Sequence, residues 1–214
     1  MITDNIRLFT QSSIRIEGKY VIYVDPFHMK AAPYDADVIF LTHDHYDHFS
    51  PDDIARIIKS DTKIVAPEKM AGKARTVVPP KGELILVRPG ERYEIPGLII
   101  ETIPAYNAKM QFHPKSAGWT GYCLEEDGQR IYISGDTDNT KQAQQVKCDV
   151  ALVPIGGTFT MDAHQAAELI NRIHPCLAIP THYGSIVGRP EDAEIFRQLV
   201  NSDTLVENRM EYFD

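Results

Sequence analysis

The chain has 214 residues, enough for one domain with a substantial buried core and short for two. Hydrophobic residues make up 43% and charged residues 24%, which excludes disorder on a large scale. A formal net charge of −8 excludes long non-specific nucleic acid as a default partner, and no stretch approaches the roughly 20 apolar residues that span a bilayer.

The N-terminus carries no apolar signal core. Cys123, Cys148 and Cys176 lie far apart and form no CxxC pair, so a cytoplasmic chain with reduced thiols is expected. Strands are predicted at residues 14–16 and 20–24, joined by a Glu17-Gly18-Lys19 turn, and again at 38–42. A helix follows. Ser50 can cap it, Pro51 fits its first position, and Asp52 and Asp53 suit its positive end. Ile54, Ile57 and Ile58 repeat at helical spacing and predict its buried face. Strands resume at 63–65, 84–87 and 98–102. A hairpin at 121–125 and 130–134 turns on Asp127-Gly128.

The second half alternates strand and helix. A strand at 150–154 precedes a helix capped by Asp162 that carries Ala166, Ala167, Leu169, Ile170 and Ile173. A strand at 177–180 precedes a helix opened by Pro190 that carries Ile195, Phe196, Leu199 and Val200. No linker or low-complexity tract divides the chain, so a single domain over 1–214 is expected. The pattern predicts a sheet core with helices outside.

The chemistry concentrates in Leu41-Thr42-His43-Asp44-His45-Tyr46-Asp47-His48. In extended backbone, residues two apart share a face, so His43 and His45 can address one ion. Asp47 and His48 can swing toward a second as the chain turns into the Ser50 helix. Imidazole with carboxylate suits zinc, manganese or iron. The ordinary alternative is a solvated polar turn. Yet three of the eight histidines fall within six positions, interleaved with two aspartates. Structural zinc sites usually close with thiolates, and no cysteine lies near, so an open, catalytic site is expected.

His-x-His-x-Asp-His after an apolar strand resembles the metallo-β-lactamase superfamily. Further segments carry the resemblance along nearly the whole chain: Tyr23-Val24-Asp25-Pro26, Ala105-Tyr106-Asn107, Phe112-His113-Pro114-Lys115, Ser134-Gly135-Asp136-Thr137, Pro154-Ile155-Gly156-Gly157 with Thr160-Met161, and Pro180-Thr181-His182-Tyr183-Gly184. Together they look like the compact bacterial and archaeal metal-dependent hydrolases. They are similar to the L-ascorbate-6-phosphate lactonases and, more distantly, to the N-acylphosphatidylethanolamine phospholipases D.

The resemblance implies an α/β fold, a four-layer αββα sandwich with metals at one edge between the sheets. It implies that His43, His45 and His113 hold one divalent ion, that Asp47, His48 and His182 hold another, and that Asp136 bridges them. Zinc is the first choice of metal, with manganese, iron or nickel also competent. A hydroxide shared by the ions would attack an ester, lactone or amide of a small molecule, with Asp136 and Asp47 as the catalytic carboxylates and Asp47 able to take a proton. His45 stands where the flavodiiron oxidoreductase branch has glutamate, which points to hydrolysis. A phosphodiesterase acting on a nucleotide or lipid headgroup stays open, as does a metal-dependent binding or sensing protein without turnover.

Other residues have plainer readings. His28 can line the cleft. His164 and His174 sit at helix termini, where a histidine has a structural explanation. Tyr106 and Tyr183 are candidate leaving-group donors, Lys109 and Lys115 candidate anion binders, and Trp119 a core or cleft-wall residue. Oligomeric state is left open.

Overall fold

The computed structural model describes residues 5–108 and 112–213. One sheet runs β1 (Ile6–Leu8), β2 (Ile14–Glu17), β3 (Val21–Val24), β4 (Ala36–Phe40), β5 (Ile58–Pro67) and β6 (Glu83–Val87) in spatial order. A second runs β7 (Arg92–Ile95), β8 (Leu98–Pro104), β9 (Thr120–Glu126), β10 (Gln129–Ile133), β11 (Val150–Pro154), β12 (Leu177–Thr181) and β13 (Leu205–Val206). The helices are α1 (Pro51–Ile57), α2 (Ala71–Arg75), α3 (Ala163–Ile173) and α4 (Asp192–Leu199). Among the described residues, no helix is long and apolar enough to cross a membrane.

Side-chain alternation builds the layers. On β4, Val38 and Phe40 point into the core between the sheets, where they join Tyr122, Ile131 and Ile133 of the second sheet. Their neighbours Ile39 and Leu41 point outward and pack under Ile54, Ile57 and Ala74 of α1 and α2. On the far side, Tyr132 and Ala151 point outward beneath Leu169, Ile170 and Phe196 of α3 and α4. The result is the expected αββα sandwich.

Strand direction decides where the site lies. β3 and β4 are parallel, and so are β10, β11 and β12. β8 and β10 both run antiparallel to β9, so β8 points the same way as β10. The C-terminal ends of β3, β4, β8, β10 and β12 therefore open on one edge, the usual place for a ligand in such sheets. The two sheets are tied there. Tyr122 donates its hydroxyl to the Leu41 carbonyl at 2.6 Å, and the Thr120 amide donates to the Thr42 carbonyl at 3.2 Å.

Several predicted elements differ. Strand β4 ends at Phe40, so His43 and His45 lie in a loop and a turn and not in extended strand. Ile58 is not on the helix: α1 stops at Ile57, and Ile58 (ψ 139°) opens β5. α4 begins at Asp192, two residues past Pro190, and its Ile195 and Leu199 face solvent while Ala193 and Phe196 are buried. β1, β7, β13 and α2 were not expected. They are short, and β7 alternates charged with apolar residues. The caps agree: Ser50 accepts from the Asp53 amide, and Asp162 forms a reciprocal capping box with Gln165.

A glycine makes one close approach possible. A Cβ on Gly156 would sit 2.3 Å from the His182 carbonyl oxygen. We expect Gly156→Ala to push the β12 end away, costing about 1–3 kcal/mol of stability and loosening metal retention at His182. Denaturant midpoint and metal content measure both, and a variant unchanged in each would contradict the packing described.

Candidate metal centre

Four chain segments deliver the predicted residues to the open edge. After β4 the chain runs free to His43, then closes a turn in which the His45 carbonyl accepts from the amides of His48 and Phe49 at 3.0 and 2.8 Å. That turn carries His45, Asp47 and His48 directly into the Ser50 cap of α1. His113 comes from the loop after β8. Asp136 follows β10 across Gly135, whose φ of 62° lets the backbone turn sharply. His182 follows β12 and adopts the left-handed region itself, with φ 55°. Its amide is held by the Gln11 carbonyl at 2.8 Å.

These residues gather into two triads. Potential ligand atoms of His43, His45 and His113 lie within 4.8 Å of one another, and so do those of Asp47, His48 and His182. Asp136 stands between the triads. Its Oδ2 lies 3.3 Å from Nε2 of His113 and of His182 and 3.9 Å from Nε2 of His43, and its Oδ1 lies 3.3 Å from Nε2 of His48. All seven predicted ligands are therefore brought together.

The donor atoms fit a cation. Nε2 of His48, His113 and His182 and Oδ1 of Asp136 are buried without a hydrogen-bond partner. Each such orphan costs about 1–3 kcal/mol, so four that converge are explained by a ligand that takes them all. Imidazole nitrogen with carboxylate oxygen is a donor set for zinc, manganese or iron.

Residues 5–182 match the beta-lactamase superfamily domain. The chain belongs to that superfamily. A UPF0173 metal-dependent hydrolase from Thermococcus onnurineus is 31% identical and aligns over 91% of each chain. The crystal structure of a candidate metal-dependent hydrolase from Parabacteroides distasonis matches with a TM-score of 0.79 at 28% identity, covering 96% of this chain and 93% of that one. Igni18, a metallo hydrolase from Ignicoccus hospitalis, shares the fold with a TM-score of 0.77 at 24% identity, covering 96% and 94%. This superfamily member is a metal-dependent hydrolase.

A second set of residues in the hydrolase fixes the histidine rings from behind. Asp25, fully buried after β3 with φ 45°, accepts from the Thr42 amide at 2.8 Å, the Thr42 hydroxyl at 2.5 Å and Nδ1 of His48 at 2.7 Å. That bond leaves Nε2 of His48 as the ligand atom. Asn107 does the same for His113. Its Oδ1 lies 2.9 Å from Nδ1 and accepts the His113 amide at 3.0 Å, while its Nδ2 donates to Asp138 and to the Phe159 carbonyl, each at 2.8 Å. Sequence reasoning quoted Asp25 and Asn107 only as parts of a resemblance. Their partners lie far along the chain, so spacing carries no signal for these roles.

The buried charges set the protonation. Burial alone pushes the His48 and His182 imidazoles down, but the Asp136 carboxylate beside them outweighs it, with Asp47 adding to the effect. His48 is held well above its ordinary value and His182 is pushed up to about 9. Burial raises the Asp47 carboxyl, and the neighbouring His48 and His182 more than reverse this, to about 2. Burial and the neighbouring His48 push His43 well down, so it is neutral and ready to ligate. Cations need neutral imidazole, so below about pH 9 metal must displace a proton from His182. We therefore expect metal affinity to rise with pH through neutrality and uptake to release protons. Calorimetry in buffers of differing ionisation enthalpy measures this, and uptake at pH 7 with no proton release would contradict it.

The remaining candidates lie elsewhere. Tyr183 is buried under α3 and α4 and donates to Asn208 at 2.6 Å, and Tyr106 donates to Gln142 at 2.9 Å, so both hydroxyls are engaged away from the cleft. Lys115 lies over the Tyr106 ring, 5.0 Å from its centroid. Lys109 lies outside the described residues. His28 is exposed and stacks on Phe27, His164 is exposed on α3, and His174 caps α3 in the left-handed region. Trp119 is a wall of the centre, its ring 5.0, 4.9 and 5.6 Å from those of His43, His45 and His113.

Proposed function

We propose that the protein uses a binuclear centre to hydrolyse a carbonyl bond (an ester, lactone or amide) of a small molecule. The observation that carries this reading is Asp136, a single carboxylate within 3.3 Å of histidines from both triads. In this reading His43, His45 and His113 hold one cation, Asp47, His48 and His182 hold the other, and Asp136 bridges. Zinc is our first choice of metal. Such a pair supplies Lewis acidity, making a water nucleophilic near neutral pH and polarising the bond under attack.

The chain's own residues do the rest. Asp25, Thr42 and Asn107 keep the ligand rings aimed, so the centre is preorganised before substrate arrives. Asp47 stays ionised across the neutral range because its carboxyl sits at about 2, which suits a ligand and makes it a weak proton acceptor. The cleft over the centre holds about 300 Å³, at the small end of ligand sites, which supports a small substrate. The three free thiols suit a reducing compartment, and we assign the cytoplasm.

Metal-loaded protein assayed on p-nitrophenyl acetate and simple lactones, beside bis(p-nitrophenyl) phosphate, tests the reading. We expect turnover of the carbonyl substrates, lost on chelation and restored by zinc. Turnover of the diester alone would favour a phosphodiesterase, and no turnover of either would count against the carbonyl reading.

A further inference from the structure

The mouth of the cleft has a composition that the metal centre does not explain. Four large side chains from four separate segments line it. Tyr46 comes from the histidine turn, Phe112 from the loop before His113, Phe159 from the loop after β11, and Ile186 from the loop after β12. Tyr46 is 67% exposed, Phe112 52% and Ile186 38%, a concentration of wet apolar surface at one place. Such a patch beside a site marks a surface that is covered in use. Phe112 and Phe159 meet edge to face at 4.5 Å and form a continuous wall. Among the described residues lining the cleft, none is lysine or arginine. Of the two lysines flanking His113 in sequence, Lys115 lies over Tyr106 and Lys109 lies outside the described residues.

Phe159 adds an independent observation. Its φ is 70°, a conformation unfavourable for a bulky residue and easy for glycine or asparagine. The backbone there is needed, because the Phe159 carbonyl accepts from Asn107 at 2.8 Å and lies 3.1 Å from Nδ1 of His113. Glycine would serve that carbonyl at less strain. A phenylalanine kept in this conformation points to a task for the ring itself.

We infer that the cleft selects a substrate bearing an uncharged alkyl or aryl group, which packs between Phe112, Phe159, Tyr46 and Ile186 while the bond to be cleaved lies over Asp136. The inference rests on the hydrolase reading above and adds the substrate class to it. An anionic group would lose hydration against these four side chains on entry. An apolar group gains about two- to fourfold in affinity for each methylene it buries.

The test uses zinc-loaded full-length protein and the p-nitrophenyl esters of acetate, butyrate and hexanoate, with the anionic hemiglutarate ester as the charged counterpart. Calorimetric titration with acetate and hexanoate gives a second readout that needs no turnover. We expect kcat/KM to rise about two- to fourfold per methylene. The hemiglutarate should be poorer than butyrate, and hexanoate should bind more tightly than acetate. Phe159→Gly and Phe112→Ala should flatten the chain-length dependence in both readouts. Phe159→Gly should do so at wild-type metal content, since the carbonyl behind His113 is kept. Ile195→Ala, on exposed α4, serves as the neutral control.

A flat acyl series, or preference for the hemiglutarate, in a protein that still cleaves the acetate ester would overturn the substrate class and leave the hydrolase reading standing. If no ester, lactone or amide is cleaved, the carbonyl reading fails, and the titration alone decides the mouth. Tighter hexanoate retains its apolar preference; equal binding overturns it.

Discussion

Asp136→Ala is expected to lower kcat/KM by at least about 1,000-fold, beyond the 10–100-fold typical of a residue that only supports a ligand. The carboxylate faces both triads, so its loss removes a donor from each. It also leaves His48 and His182 buried without the largest of the charges that hold their protons, and breaking a buried pair of this kind costs about 3–5 kcal/mol. Thermal unfolding of wild type and variant, each with and without zinc, separates lost metal from lost fold. Zinc should raise the wild-type Tm and leave that of Asp136→Ala nearly unchanged. Undiminished hydrolysis by the variant would remove Asp136 from the mechanism.

The second large effect is expected at Asp25. Both its oxygens are engaged, one by the Thr42 amide and the other by the Thr42 hydroxyl and His48. Alanine there orphans an amide, a hydroxyl and an imidazole inside the fold. We expect a loss of about 3–5 kcal/mol, or roughly 10 °C in Tm for a chain of this size. Metal affinity should fall about 10–100-fold, because His48 is no longer held with Nε2 forward. Asp25→Asn keeps the shape and one acceptor and should fall between. Wild-type metal affinity in Asp25→Ala would show that Thr42 and the strand end position His48 without it.

The contrast between these two aspartates shows what a linear sequence reveals. Asp136 was legible only through its place in a resemblance, because a Ser134-Gly135-Asp136-Thr137 turn by itself reads as an ordinary β-turn. The His43–His48 cluster was legible from residue type and spacing. His113 and His182 stood out only through their order in a resemblance, because a lone histidine in a loop looks the same whatever it faces. Asp25 could not be given its role, since the bond that defines it reaches His48 across the fold. The same holds for the mouth: Tyr46, Phe112, Phe159 and Ile186 are scattered along the chain and become neighbours only when the strand ends meet.

Secondary structure divides along similar lines. Strongly patterned segments such as β11 and α3 were read correctly, since alternation or a capped amphipathic repeat is local. Ile58 misled because isoleucine at helical spacing also suits the strand that follows. Ile195 and Leu199 misled because periodicity locates an apolar stripe without saying whether the sheet or Ala193 and Phe196 take the buried side. β13 is two residues long and is made by pairing with β12, a tertiary fact.

Anomalous diffraction from crystals of the metal-loaded protein tests the central claim most directly. Two peaks are predicted, one against His43, His45 and His113 and one against Asp47, His48 and His182, with Asp136 coordinating both at roughly 2.0–2.2 Å. A single peak, or two peaks with Asp136 bound to neither, would contradict the binuclear centre on which the proposed chemistry depends.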